Sequence, residues 1–419
     1  LLALLALLRA LPAARAGGAW NQRGGDIDGE AVGERSGAAV AVNADGEFVA
    51  VGAYRNKNAG ENAGRVRVYR RVGGSWGQYG SNVDGENAHD RAGYSVALSG
   101  SASGLTLAVG AFRNDPPGAQ DAGHVRVFTH CVCGGGDWTQ LGPDIDGVAL
   151  DDRLGSAVSL STDGRRVVAG APRHDGEKGH ARVYQYDALV DTWATLGSDL
   201  DGQTAGDLFG SAVAISGDGS TVAVGAYGAS NDDGDQAAGL ARVFRLSAGT
   251  GAQIGEWKGD QNDELGRSVS LSDDGNVVAL GAPGKGGKKG FVDVWSYSTA
   301  PPAWTRSGDS ILGEDGGDRA GEVSISWNGN LVLIGSKHSS TGPGFRSGQA
   351  RLFRFQSGAW QRIGLVDGEA VDDKSGWTVA LNAYADATEP TPCGRSAPSC
   401  VIGAPFNNGQ GADSGHARV

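Results

Sequence analysis

Carboxylates recur in this chain at a spacing that could hold a cation. Asp26-Ile27-Asp28-Gly29, Asp144-Ile145-Asp146-Gly147 and Asp199-Leu200-Asp201-Gly202 each read Asp-x-Asp-Gly, and Val83-Asp84-Gly85 and Val366-Asp367-Gly368 are partial copies. A hard cation such as Ca²⁺ takes roughly six to eight oxygens from carboxylates and carbonyls. Asp144, Asp146, Asp199 and Asp201 are therefore the candidate metal ligands. The competing role is structural, because Asp also braces turns through bonds to its own backbone.

A second acid stands three residues before a recurring Gly: Glu34, Asp90, Asp152, Asp207, Asp263, Asp318 and Asp373. An Arg recurs later in six of the copies, at Arg67, Arg126, Arg182, Arg242, Arg351 and Arg418, with Asp293 in the remaining one. One acid and one Arg per copy most simply form a partly buried, charge-assisted pair. The expected pairs include Asp90 with Arg126, Asp152 with Arg182 and Asp207 with Arg242. Catalytic signatures are missing. There is no Gly-x-Ser-x-Gly elbow and no His-Glu-x-x-His. His124, His180 and His416 share one repeat position and read as a feature of the repeat. Carboxylate pairs are too common to single out an acid and a base, so the chain does not read as an enzyme.

Of the four cysteines, Cys393 and Cys400 lie seven apart in one loop and suit a disulfide in a secreted protein. Cys131 and Cys133 could form a strained bridge, stay free or pair elsewhere. His130 beside them lacks a second ligand pair at zinc spacing.

These residues sit on a repeat. Gly37, Gly93, Gly155, Gly210, Gly266, Gly321 and Gly376 open seven copies spaced 55 to 62 residues apart. In the fourth copy, Gly210 to Tyr227 reads as two strands around the Asp218-Gly219 turn, and Asp-Gly supplies the positive φ angles of tight hairpins. A third run resembles Arg-Val-Arg-Val-Tyr (Arg65 to Tyr69). A fourth carries a Trp in five copies: Trp76, Trp138, Trp193, Trp304 and Trp360. Those Trp side chains read as blade-edge packing rather than sugar-stacking platforms. Four short strands per period predict a seven-bladed β-propeller of four-stranded antiparallel blades. A solenoid is the rival. The last copy reaches Val419 in its third strand, and Trp20-Asn21-Gln22-Arg23-Gly24 offers the fourth, which closes the ring and hides its edges.

Alternation of connections puts the loops between strands two and three on the same rim as those between strands four and one. Polar loops of varied length on a rigid frame are where binding usually resides. The candidate ligand-binding residues there are Tyr54, Asn56, Phe112, Asn114, His174, Tyr227, Asn231, Asp232 and Asn407.

Phe209-Gly210 and Gly281-Ala282-Pro283 resemble the FG-GAP repeats of the integrin α-subunit N-terminal β-propeller, over nearly all of residues 20–419. The full period looks more like the shorter FG-GAP variant of secreted microbial and algal repeat proteins. The resemblance implies the propeller fold and leaves the ligand open. One departure matters. Integrin-type blades often hold calcium in an Asp-rich loop between strands one and two. Here Asn43-Ala44-Asp45-Gly46, Ser161-Thr162-Asp163-Gly164 and Ser272-Asp273-Asp274-Gly275 are tight turns with too few oxygens for such a cage.

The bulk numbers set the outer bounds. Gly is 72 of 419 residues, placed at fixed repeat positions, and the net charge is −12 with a pI near 5.0. That disfavours nucleic acid, which calls for basic surface. Leu1 to Leu8 is almost wholly apolar and Ala14-Arg15-Ala16 fits a cleavage site, so residues 1–16 read as a secretory signal lacking its charged start, followed by the propeller at 17–419. No stretch approaches the roughly 18 apolar residues of a membrane span. The expectation is a secreted, monomeric propeller that binds an extracellular protein or glycan through its loop-rich face. It needs no cofactor beyond possible calcium. The alternatives are a calcium-dependent version and a lectin or glycan-active enzyme.

Overall fold

The computed structural model describes residues 21–101, 104–130, 137–247, 250–382 and 398–419. The leader at 1–16, Trp20, Cys131, Cys133 and Cys393 lie outside the described residues. Seven antiparallel sheets follow one another along the chain, each starting with an inner strand and stepping outward. Blade one runs Ala39–Val42, Phe48–Ala53, Arg65–Val72 and Ser75–Gln78. Blade four has inner strand Ala212–Ile215 paired in register with Thr221–Ala226, so that Ala212 faces Gly225 and Ile215 faces Val222. The seven-bladed propeller expected from the repeat is what forms.

The second strand of a blade is covered on both sides, which is why it is built from small and β-branched residues. All six residues of Phe48–Ala53 and of Thr221–Ala226 are buried. The core is laid down between blades rather than within them. Val168 and Val183 of blade three pack with Val213, Ile215 and Val222 of blade four. Each such side chain contributes about 1.5–3 kcal/mol on burial. Serines on inner strands reach sideways to the next blade. Ser159 Oγ accepts from Ile215 N at 3.3 Å and Ser268 Oγ from Val323 N at 3.1 Å, satisfying amides that have no ladder partner there.

The glycines of the repeat explain themselves at these seams. A Cβ on Gly225 would sit 1.9 Å from the Gly266 carbonyl oxygen of the next blade, and one on Gly281 would sit 1.9 Å from that of Gly321. The same clash recurs between blade seven and blade one, where Gly403 would meet the Gly37 carbonyl at 2.0 Å. Closure is therefore part of the same pattern. Ile27–Asp28 pairs with His416–Arg418, and Val40 and Val49 share a core with Ile27, Val401 and Ala417.

The fourth strand differs from the expectation. It has two pieces. A Trp-bearing piece pairs with the far end of the third strand, and a short tail such as Val83–Asp84, Ile145–Asp146 or Leu200–Asp201 pairs with its beginning. In blades four and six the pieces fuse into Thr250–Lys258 and Ala359–Asp367. The Asp-x-Asp-Gly motifs are thus strand tails and not loops. Their middle residue is the reason: Ile27, Ile145 and Leu200 are all buried against the blade. In blade seven the docked tail is Ile27–Asp28, and Arg23 N bonds Val419 O at 2.7 Å just ahead of it. The Trp side chains staple neighbouring blades, with Trp193 Nε1 donating to Leu141 O at 2.7 Å and Trp360 Nε1 to Ser307 O at 2.6 Å.

Among the described residues no helix is long and apolar enough to cross a membrane. No disulfide is formed among them either. Cys400 is a buried free thiol on a second strand, and burial pushes its pKa up to about 12.

Candidate functional site

The turn acid of each blade braces its own turn. Asp90 Oδ2 accepts from Asn87 N at 2.8 Å and Glu86 N at 3.2 Å, and Asp373 Oδ2 accepts from Ala370 N at 2.7 Å. Burial pushes the Asp90 carboxyl up, against the pull of these bonds. Its remaining capacity goes to the loop between strands two and three. Asn114 Nδ2 donates to Asp90, Asn56 Nδ2 to Glu34 at 2.6 Å and Asn407 Nδ2 to Asp373, and His174 Nδ1 lies 3.0 Å from Asp152. Four of the residues read as ligand-binding are therefore loop anchors: Asn56, Asn114 and Asn407 are buried, and His174 is half-buried.

The expected acid–Arg pair forms between Arg67 and Glu34, at 3.2 Å. In the next three blades the Arg is aimed outward instead. Arg126 meets Glu86, Arg182 grips both oxygens of Asp199, and Arg242 meets Glu256. The correction to Asp90, Asp152 and Asp207 has a simple cause. The outer tail lies beside the third strand and brings Asp199 to Arg182 and Glu256 to Arg242, while Glu86, just past the tail of blade one, meets Arg126. The turns between strands one and two likewise use their acids internally, as when Asp218 binds Ser216 Oγ and Ser220 N.

One step beyond each turn acid, a residue other than Gly takes positive φ in all seven blades: Arg35, Arg91, Arg153, Leu208, Glu264, Arg319 and Lys374, at 55–60°. Such conformations cost on the order of 1 kcal/mol each. Four of these residues line a funnel of about 660 Å³ at the centre of this face. Its wall carries seven cations (Arg35, Arg91, Arg113, Arg153, Arg173, Arg267 and Lys337) against two carboxylates, Glu177 and Glu322. Aromatic rings alternate with them. Arg267 lies 4.2 Å over Tyr227, Lys337 lies 4.5 Å over Trp377, and Arg91 lies 5.6 Å over Phe112. Tyr94 packs at 4.4 Å on Phe112 and at 5.5 Å on Tyr54. Among the described residues no carboxylate lies within salt-bridge reach of Arg91 or Arg267, whereas Arg153 and Arg173 share Asp151.

Burial pushes the Glu322 carboxyl up to about 7, with Lys337 and Arg267 pulling it back. Burial brings the Lys337 ammonium down to about 8, against the attraction of Glu322. The funnel thus holds an acid and an amine that both titrate near neutrality.

Of the residues read from the sequence, Tyr54, Phe112 and Tyr227 are on this wall. Asn231 and Asp232 sit farther out in the blade-four loop, where Asn231 braces the turn through Asp235 and Asp232 pairs with Lys258. The candidate metal ligands fall on the outer strand tails. Asp144 groups with Glu86 and His124, and Asp199 and Asp201 group with His180. Asp146 stands opposite His124 in the strand register.

The FG-GAP repeat family model matches residues 200–244, which span the tail of blade three and the first three strands of blade four. No curated protein sequence matches the chain. Solved structures do. A periplasmic gluconolactonase of Pseudomonas aeruginosa is 17% identical, with 80% of this chain and 87% of that one covered, at a TM-score of 0.53. A protein from Lactobacillus plantarum is 14% identical over 80% and 85% of the two chains, at 0.51. Hydrazine synthase of Kuenenia stuttgartiensis is 12% identical over 86% and 91%, at 0.52. These likenesses carry the propeller fold alone. The chain is a seven-bladed propeller with an FG-GAP repeat in it.

Proposed function

We propose that this propeller is a binding module that seats an acidic saccharide in its central funnel, in the extracellular setting suggested by the apolar leader. The observation that carries the reading is the funnel wall. Seven cations face two carboxylates in a protein whose net charge is −12. Cations concentrated in one concavity of an acidic protein focus anions there. Arg offers a planar fork to carboxylate or sulfate, and the rings of Tyr94, Tyr227 and Trp377 offer apolar faces to sugar. The volume, about 660 Å³, suits a short oligosaccharide.

Titration calorimetry with a short polyuronate and its methyl-esterified form tests this. The acidic form should bind and the neutral one should not. Arg91→Ala and Arg267→Ala should each weaken binding roughly 10- to 100-fold, as for a lost charge-assisted bond. Equal binding of the neutral form, or unchanged affinity in both variants, would overturn the reading.

Glu322 favours a second reading, as a glycan-active enzyme. A carboxyl near 7 beside an amine near 8 is suited to general acid–base work. Turnover of an acidic saccharide that Glu322→Gln abolishes while binding survives would establish it.

A further inference from the structure

Outside the funnel, blades two and seven carry related clusters of one His and nearby carboxylates. His124 begins the third strand of blade two and is 1% exposed, yet neither ring nitrogen has a hydrogen-bond partner. Its Nδ1 points at two carboxylate oxygens, Asp144 Oδ2 at 3.8 Å and Glu86 Oε2 at 4.0 Å. The other oxygen of each acid is already held. Gln140 donates to Asp144 Oδ1 at 2.7 Å and Arg126 lies 3.4 Å from Glu86 Oε1. Blade seven carries a related set, in which His416 groups with Asp26 and Asp28 and Glu369 also lies near. His416, 2% exposed, has Nδ1 at 3.9 Å from both Asp26 Oδ2 and Glu369 Oε2. Gln22 holds Asp26 Oδ1 at 2.5 Å and Arg418 holds Glu369 Oε1 at 3.0 Å.

These separations are too long for hydrogen bonds. They are a few tenths of an ångström beyond the spacing of ligands around an ion held at roughly 2.0–2.2 Å. The outer Gln and Arg orient the acids as partners behind a metal ligand do. We infer that blades two and seven each bind one divalent transition-metal ion of the Zn²⁺ type, through His124, Asp144 and Glu86 in blade two and through His416, Asp26 and the neighbouring acids Asp28 and Glu369 in blade seven. An imidazole in the set disfavours Ca²⁺, which takes oxygen ligands. The acids are partly exposed, so solvent can deliver the ion and complete its coordination.

Placement gives the ion a task. Glu86 follows the outer tail of blade one while His124 and Asp144 belong to blade two. Glu369 follows blade six while His416 and Asp26 belong to blade seven. Each ion would clamp two adjacent blades, and the second would also fasten the N-terminal segment that closes the ring. Blade three is the internal comparison. His180 sits near Asp199 and Asp201, but Arg182 takes both Asp199 oxygens and Val148 occupies the position of Glu86.

The test is Zn²⁺ binding to the whole chain, with Ca²⁺ in parallel. Two ions should bind per chain, with a rise in Tm. Glu86→Gln with Asp144→Asn should remove one, and Asp26→Asn with Glu369→Gln should remove the other. Zinc-edge absorption on the unaltered chain needs no variant and should show imidazole and carboxylate ligands. Two ions retained in both double variants, a zinc shell without imidazole, or saturable Ca²⁺ binding without Zn²⁺ binding would each overturn the proposal.

Discussion

At the scale of single residues, Glu322 makes the funnel measurable. Its carboxyl is raised to about 7, so between the ordinary glutamate value and about 7 the folded state keeps a proton that the unfolded chain has released. The stability this gives is complete at acid pH and is lost as pH rises through about 7. Glu322 keeps some solvent contact, which makes the slope shallower than for a sealed carboxyl. Thermal unfolding of Glu322→Gln should therefore fall less from pH 5 to pH 7.5 than that of the unaltered protein, by about 1–2 °C. Parallel curves would mean that burial does not raise the group. The same residue shows why the site was only partly legible. The position after the opening Gly reads Ala38, Tyr94, Ser156, Ser211, Arg267, Glu322 and Trp377. Repeat alignment rewards sameness, and this ring works through its differences. Tyr54, Phe112 and Tyr227 were visible because they sit beside the Gly-Ala signature. His124 and His416 read as features of the repeat because they recur, and that same recurrence puts a buried imidazole beside the outer-tail acids in both blades.

At the scale of strands, the repeating glycines made the fold readable before any contact was known. Their reason lies in the neighbouring blade. Gly225 has no room for a methyl group because the Gly266 carbonyl passes 1.9 Å from where its Cβ would be. Gly225→Ala should cost about 1–3 kcal/mol or more, as overpacking does. Gly77, in the outer strand of blade one, has open space around it, and Gly77→Ala should stay within about 0.5 kcal/mol. Denaturant midpoints of the two variants check this, and equal costs would remove the seam argument. The split fourth strand was not legible, because a two-residue tail such as Val83–Asp84 carries too little periodicity to separate from a loop. Its evidence is the single buried aliphatic between two acids, a pattern that the acids themselves disguise.

At the scale of the molecule, everything depends on the ring being closed, since a funnel and its alternating wall exist only if blade one meets blade seven. Closure engages a two-residue strand, Ile27–Asp28, joined to the last strand by two opposed pairs, Ile27 with Ala417 and Asp28 with His416. The sequence placed an N-terminal closing strand at Trp20 to Gly24, where Arg23 N bonds Val419 O, and the tail Ile27–Asp28 docks a few residues later. Ile27 is 3% exposed, and its counterpart in blade two, Ile145, is 4% exposed. Equal burial should mean equal energetic weight. Ile27→Ala and Ile145→Ala should both cost about 2–5 kcal/mol and should agree within about 1 kcal/mol. The comparison bears on closure, because the chain reaches Ile145 from the third strand of the same blade, whereas Ile27 joins its blade from the other end of the sequence. If Ile27→Ala costs under about 0.5 kcal/mol while Ile145→Ala costs the full amount, the closing strand does not carry the ring. The acidic-saccharide reading would then lose the rigid wall it requires.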